Sequence, residues 1–355
     1  MKKVKIGILT FHAAHNYGAV LQCYALKEYL QSLGHVVTII DYRQEYLLGC
    51  YKWFNLKTLL KAAVNGNLFT TCRNMLTKKT RGRKFDDFTK RMFDLSDPSL
   101  LNTEFYDYVV IGSDQVWSTK LTNGYDDYYW GQFKHPIKTK IISYAASLEI
   151  LWPEKEDFIV KSKLKAFYRI STREKELAHK IHSLLPGKEV VTCVDPTLLL
   201  DCEKWGKLAK KPNIKEKYIF YYQVRHSQMG LDFAKKVSHE KKCKLLILSA
   251  DVKNENTDDI KNASPEELLG FIKYADCVIS SSFHGTVFSV IFKKQFFSIS
   301  NGTKDSRVRN LLEGLHLMNH FVESSDFDID VSTIIDDNKL QDYIKSSVEY
   351  LKLIK

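Results

Sequence analysis

The sequence predicts an α/β protein of two domains, each a parallel sheet with helices on its faces. Three observations predict it. Short β-branched runs alternate with stretches of helical periodicity, the pattern of parallel strands joined by crossover helices. The alternation lapses in a polar stretch, Lys207–Lys217 with Pro212, and then begins again. A length of 355 residues exceeds what one hydrophobic core usually serves. The boundary is expected near 201–216, giving a first domain over 1–205 and a second over 206–335.

The elements follow in order. Val4–Leu9 reads as the first strand. Lysines before a short apolar run imitate a secretory leader, but that run is brief and His12, His15 and Asn16 follow at once. Gly18–Leu33 has helical periodicity in Val20, Leu21, Tyr24, Ala25, Leu26, Tyr29 and Leu30, and Gly34 stands where a C-terminal cap would. Val36–Ile40 is the second strand. Residues of about 45–100 read as a basic helical insertion in the first domain. Strands are then expected at Tyr108–Ile111, Lys140–Ser143, Ala166–Ile170 and Val190–Val194. The second series is Tyr218–Gln223, Lys244–Leu248, Cys277–Ser280 and Gln295–Ile299. Asn338–Lys355 reads as a helix, and 336–355 is expected to cross back onto the first domain. Two such domains facing each other enclose a cleft, and ligands of open α/β sheets bind beyond the carboxyl ends of the strands.

Composition narrows the class. Hydrophobic content of 44% and charged content of 27% are those of a globular protein. No apolar run approaches the roughly 18–20 residues that span a bilayer. Seven widely spaced cysteines form no Cys-x-x-Cys pair and no zinc spacing, which fits reduced thiols and a cytoplasmic location. The net charge of +11 is concentrated: residues 52–91 hold eleven Lys or Arg against Asp86 and Asp87 only. Trp53, Phe54, Leu56, Leu59 and Leu60 recur there at roughly helical spacing. Such a segment either buries its apolar stripe in its own domain or lies on an anionic membrane surface. No recognition motif for nucleic acid accompanies it.

Polar clusters stand at the expected strand ends. Ser280-Ser281-Ser282-Phe283-His284-Gly285-Thr286, between an apolar strand and a helical run, is the most informative. It puts an imidazole and free N–H groups at a helix N-terminus, which favours anions, and histidine titrates near neutral pH. After the first strand, Asn16 and Gly18 either approach a ligand or start the helix, with Asn16 as its cap. Ser113 and Asp114 follow the third strand. Arg173 stands at the end of another, a fork suited to phosphate or carboxylate, with Glu174 beside it to pair. Lys304, Arg307 and Arg309 either add charge to the site or begin a solvated helix. Asp126 and Asp127 are adjacent and need not converge on one ion. They read as loop residues, and no metal site is expected.

Together these residues resemble the polysaccharide pyruvyl transferase family. The matching pieces are Asn16-Tyr17-Gly18-Ala19-Val20-Leu21-Gln22 with Tyr24-Ala25-Leu26, then Ile111–Trp117, Ser143-Tyr144-Ala145-Ala146-Ser147, Ser171–Glu174, Val194–Leu199 and Ala275–Phe288. The resemblance implies two Rossmann-like domains in a GT-B-like arrangement, with phosphoenolpyruvate as donor, a saccharide hydroxyl pair as acceptor and no other cofactor. It implies that Arg173 holds the donor's phosphate or carboxylate and that His284 transfers a proton. Asn16, Gly18, Ser113, Asp114, Ser282, Gly285, Thr286, Arg307 and Arg309 complete the expected site. The family's better-characterised members carry an arginine two residues before this histidine. Here that position is Ser282, leaving Arg307, Arg309 or Arg225 to replace it. The basic segment 52–91 would suit a polyprenyl-diphosphate-linked acceptor at the inner membrane face.

Two other readings stand beside this one. A nucleotide-sugar glycosyltransferase of the same fold would need an acidic site for a ribose, for which Glu266 and Glu267 are candidates. A non-catalytic saccharide-binding protein would account for Ser282.

Overall fold

A computed structural model describes residues 3–49, 51–52, 56–65, 67–224, 226–249, 260–302 and 305–355. The chain divides into two units. The first comprises Met1–Tyr51, Thr89–Leu200 and Gln341–Lys355, the second Lys52–Phe88 and Asp201–Leu340.

In chain order the elements are β1 (Lys5–Leu9), α1 (Tyr17–Ser32), β2 (Val36–Ile40), α2 (Glu45–Gly49), α3 (Leu56–Val64), α4 (Leu68–Met92), β3 (Leu95–Ser96), β4 (Tyr108–Ile111) and β5 (Lys140–Ser143). There follow α5 (Asp157–Leu164), β6 (Ile170–Thr172), α6 (Lys175–Leu184), β7 (Val190–Thr192), α7 (Cys202–Leu208), β8 (Tyr218–Gln223), α8 (Gln228–Glu240) and β9 (Lys244–Ser249). The last are α9 (Pro265–Tyr274), β10 (Cys277–Ser280), α10 (Phe283–Ile291), β11 (Gln295–Ile299), α11 (Ser306–Gly314), β12 (Phe321–Val322) and α12 (Asp337–Lys352).

The first unit's sheet has the parallel order β3-β2-β1-β4-β5. Isolated parallel bridges, Ile142 with Arg169 and Ala146 with Thr172, carry the pattern on to the β6-β7 pair. In the second unit the order β12-β11-β10-β8-β9 is again parallel. Counted within each unit, the first sheet reads 3-2-1-4-5 and the second 2-1-3-4-5, the two common doubly wound orders. The strand order reverses between β1 and β4 in one unit and between β8 and β10 in the other.

Burial explains why the strands lack alternation. Every residue of β4, β8 and β10 is buried, as expected of strands covered on both faces. In the first unit Trp117 stacks on Trp130 at 5.3 Å and meets the edge of Phe167 at 5.5 Å. In the second, Phe233 meets Phe297 edge-on at 5.1 Å. Helix α1 ends as its sequence predicts: Gly34 has φ +91°, its N–H bonds to the Gln31 carbonyl and that of His35 to the Leu30 carbonyl.

Two expectations need correcting. The strand expected at Ala166–Ile170 is Ile170–Thr172: Arg169 makes only an isolated bridge to Ile142, and from Ile170 the chain pairs with β7. The basic segment is not wholly an insertion of the first domain. Lys52–Phe88 groups with the second unit, where Lys84 pairs with Glu267 at 2.6 Å. The boundary falls at Leu200–Asp201, before α7, whose fully buried Trp205 meets Phe288 edge-on at 4.9 Å. Two-residue strands β3 and β12 close the sheet edges, too short to leave a period in the sequence. Gln341–Lys355 groups with the first unit. There Ser347 Oγ accepts the Val194 N–H at 2.8 Å, and the Tyr350 hydroxyl donates to the Ser143 carbonyl at 2.8 Å.

Candidate functional site

All strands of the first unit are parallel, so the residues that follow them meet at one sheet edge. Arg173 follows β6, and its side chain is only 5% exposed. Its Nη2 lies 2.9 Å from Asp195 Oδ2 and donates to the Ser113 hydroxyl. Asp195 is itself buried and fixed, its Oδ1 accepting from the Thr197 N–H at 3.0 Å and hydroxyl at 2.7 Å. Burial opposes the charge of Arg173, but Asp195, Asp114 and Glu174 outweigh it and raise the guanidinium's pKa. Glu174 bonds elsewhere: it accepts from the Ser147 hydroxyl at 2.5 Å and the Leu148 N–H at 3.2 Å. Asp195 therefore orients Arg173.

The other residues expected in this unit divide by role. Asn16 caps α1 through Oδ1, which accepts the Ala19 N–H at 3.2 Å, and Gly18 is buried in that helix's first turn. Ser113 is wholly buried: its hydroxyl donates to the Ala145 carbonyl at 3.1 Å, and its carbonyl accepts from Thr10 at 2.8 Å. It positions Arg173 from within. Asp114, at φ +76°, accepts the Gln115 N–H at 2.8 Å and adds negative charge around Arg173. Gly112 cannot carry a side chain here, since its φ is +109° and a Cβ would meet the Tyr144 carbonyl oxygen at 2.5 Å. Asp126 and Asp127 diverge, the first accepting from Tyr42 at 2.8 Å and the second pairing with Lys163 at 3.0 Å.

One pairing at this edge was not legible in the sequence. His12 Nε2 lies 2.8 Å from Asp41 Oδ1, and Nδ1 lies 3.3 Å from the Thr10 carbonyl. Arg43 donates to the same Asp41 oxygen at 2.7 Å. Burial would raise the Asp41 carboxyl, yet the bonds from His12 and Arg43 hold it below the usual range. His15 instead sits beside the Tyr51 ring at 5.7 Å.

In the second unit the site is the turn from β10 into α10. Ser282 is the N-cap, its hydroxyl accepting the Gly285 N–H at 3.5 Å. That is a structural reason for serine at a position where the resemblance implies arginine. Ser280 Oγ accepts the Ser282 N–H at 3.0 Å and sits so close that a Cβ on Gly285 would meet it at 2.1 Å. Thr286 is fully buried and ties the turn to β11 through Ser298 at 2.7 Å, so it shapes the turn from inside. Asn301 donates to the Ser281 carbonyl at 2.6 Å. His284 lies in the first turn of α10, 9% exposed.

Cations reach this turn unequally. The Arg307 guanidinium lies 5.6 Å over the ring of Phe283, the residue before His284. Arg309 is drawn to Glu323 at 2.6 Å and stacks on Phe321 at 4.3 Å. Arg225 and Lys304 lie outside the described residues. A further cation, from the basic segment, acts on Tyr222 beside this turn. Burial pushes the Tyr222 phenol up to about 12, opposed by Arg81 of α4 and a hydrogen bond with Ser282. Arg81 stands out in the sequence only by its place in the basic run, and no local pattern ties it to Tyr222. Glu267, a candidate for a ribose, is already engaged: it closes a capping box with Ser264 and pairs with Lys84 and Lys210.

Two doubly wound units with polar, hydroxyl-rich strand ends define a two-unit α/β protein of the doubly wound class. A family profile described as polysaccharide pyruvyl transferase matches residues 16–303, and the chain belongs to that family. It is thus a transferase of polysaccharide biosynthesis. No curated protein sequence matches it significantly. A crystal structure of UDP-N-acetylglucosamine 2-epimerase is similar at TM-score 0.53 and 8% identity, over 100% of this chain and 95% of that one. At TM-score 0.47 and 11% identity, the Neisseria meningitidis UDP-GlcNAc 2-epimerase bound to UDP-GlcNAc is matched over 99% of this chain and 93% of its own. The spinosyn rhamnosyltransferase SpnG gives TM-score 0.42 and 11% identity over 99% and 96%. At such identities the likeness concerns the fold only, the GT-B-like class of two α/β units.

Proposed function

We propose that the chain transfers the pyruvyl group of phosphoenolpyruvate to two hydroxyls of a saccharide, as a cyclic ketal, on a lipid-linked or polymeric precursor of a surface polysaccharide. The observation that carries this reading is the His284 turn. A serine-capped helix N-terminus, a histidine in its first turn and a nearby arginine suit an anionic donor that must be protonated.

The steps balance. The methylene carbon of the donor takes a proton, leaving an oxocarbenium-like centre at the carbon bearing phosphate. One sugar hydroxyl attacks that carbon and loses its proton, phosphate departs, and the second hydroxyl closes the ring and loses its own. One proton is gained at carbon and two are lost from oxygen, and hydrogen phosphate is released. His284 transfers protons. Arg307 supplies charge that Ser282 does not, and the resemblance implies that Arg173, paired with Asp195, holds a donor oxyanion. The same chemistry needs no metal.

The test is phosphate release from phosphoenolpyruvate with a panel of lipid-linked and soluble glycosides. Acceptor-dependent release that His284→Ala abolishes is the expected result. Stabilisation against heat by a nucleotide sugar but not by phosphoenolpyruvate would instead assign the site to glycosyl transfer.

A further inference from the structure

Helix α4 turns by about 100° per residue, which sorts its side chains into faces. Met75, Gly82, Phe85, Phe88 and Thr89 fall on one side, and all are buried. Phe69, Arg73, Leu76, Thr80 and Arg83 fall on the opposite side, and all are exposed, Phe69 by 82% and Leu76 by 62%. A helix that buries one apolar stripe ordinarily leaves polar residues on its other face. The buried stripe accounts for Phe85 and Phe88 and leaves Phe69 and Leu76 unexplained. Helix α3 repeats the pattern. Leu60 and Val64, one turn apart, are 59% and 86% exposed, and Lys57 and Lys61 are exposed with them. From Tyr46 to Phe85 the chain contains nine Lys or Arg and no Asp or Glu. Trp53 and Phe54, also in this run, lie outside the described residues.

We infer that α3 and the first turns of α4 form a docking surface for an anionic phospholipid bilayer. Leu60, Val64, Phe69 and Leu76 enter the headgroup boundary, while Lys57, Lys61, Arg73 and Arg83 meet lipid phosphates. Charge complementarity selects this occupant. A nucleic acid would satisfy the cations and leave four large aliphatic or aromatic side chains in water, whereas a lipid interface takes both. A second copy of the chain would bring a like-charged surface against this one. Among the described residues no helix is long and apolar enough to cross a membrane, so the contact is one of lying on the surface.

The experiment is co-sedimentation of the full chain with phosphatidylcholine vesicles, with and without phosphatidylglycerol, at low and high salt. Binding should need phosphatidylglycerol and weaken with salt. Phe69→Ser with Leu76→Ser should abolish binding without changing charge. Arg73→Glu with Arg83→Glu should weaken it at least about tenfold, given roughly fivefold per cation near a charged surface. Both variants should melt like the parent, since every substituted side chain is exposed. Equal binding to both vesicle types, no binding to either, or binding that survives both variants would overturn the inference. So would a concentration-dependent dimer, abolished by Phe69→Ser, in a chain that ignores vesicles.

Discussion

The two polar strand ends, after β6 and after β10, differ in how their charge is balanced. At the edge of the first unit, Arg173 sits among Asp195, Asp114 and Glu174, buried and bonded through one nitrogen to a carboxylate that is itself fixed. At the β10–α10 turn of the second unit stand serine hydroxyls, helix N–H groups and His284, with the Arg307 guanidinium over Phe283 and the buried Asp305 joined to the turn through Asn301. The first arrangement spends much of its charge on holding its own geometry. In the second the Asp305 carboxylate is bonded to Ser300 and Asn301. Position at a strand end thus does not decide role; the carboxylates around each cation do.

The sharpest way to break this comparison is to remove His284. His284→Ala should lower acceptor-dependent phosphate release by about 10²–10⁴-fold with little change in melting temperature, the usual range for a general acid or base. An intact rate would move the chemistry away from the second unit. Next is the buried pair. Asp195→Ala strands a charge and should cost about 3–5 kcal/mol of stability, read by denaturant unfolding. Arg173→Met with Asp195→Leu should recover most of that stability without recovering activity. Recovered activity would reduce the pair to scaffold and remove Arg173 from donor binding. A smaller effect separates two neighbouring arginines. Arg307→Ala should raise KM for phosphoenolpyruvate by about ten- to a hundredfold, the value of a charge-assisted contact, while Arg309→Ala leaves KM near the parent's. Equal shifts would mean that Glu323 does not hold Arg309 in solution. The smallest effect concerns pH. Because the Asp41 carboxyl is held below its usual range, its stabilisation is present above the ordinary carboxylate pKa and is lost as pH falls through the lowered value. Asp41→Asn should therefore melt lower than the parent at neutral pH and converge with it in acid.

Much of the scaffold was legible because buried parallel strands announce themselves as unbroken apolar runs. Val36–Ile40, Tyr108–Ile111, Lys140–Ser143, Tyr218–Gln223, Cys277–Ser280 and Gln295–Ile299 stand where the sequence puts them. What it did not show is what long-range pairing decides. Nothing local ties Arg173 to Asp195, His12 to Asp41 or Arg81 to Tyr222, and each depends on strands or helices meeting after the chain has folded. Ser113 and Thr286 read as ligand-facing because short polar residues follow strands, yet both are spent inside, satisfying backbone and neighbouring hydroxyls. The same hydroxyl chemistry serves either purpose, and only burial separates the two.

The grouping of Gln341–Lys355 with the first unit has a consequence for how the protein is made. The Val194 N–H donates to Ser347 and the Ser143 carbonyl accepts from Tyr350, and those partners leave the ribosome after the whole second unit. Domains usually fold one at a time from the N-terminal end during synthesis. Here the unit that starts first is completed last, so a nascent chain must wait with one sheet edge unfinished while the other unit closes around its own core.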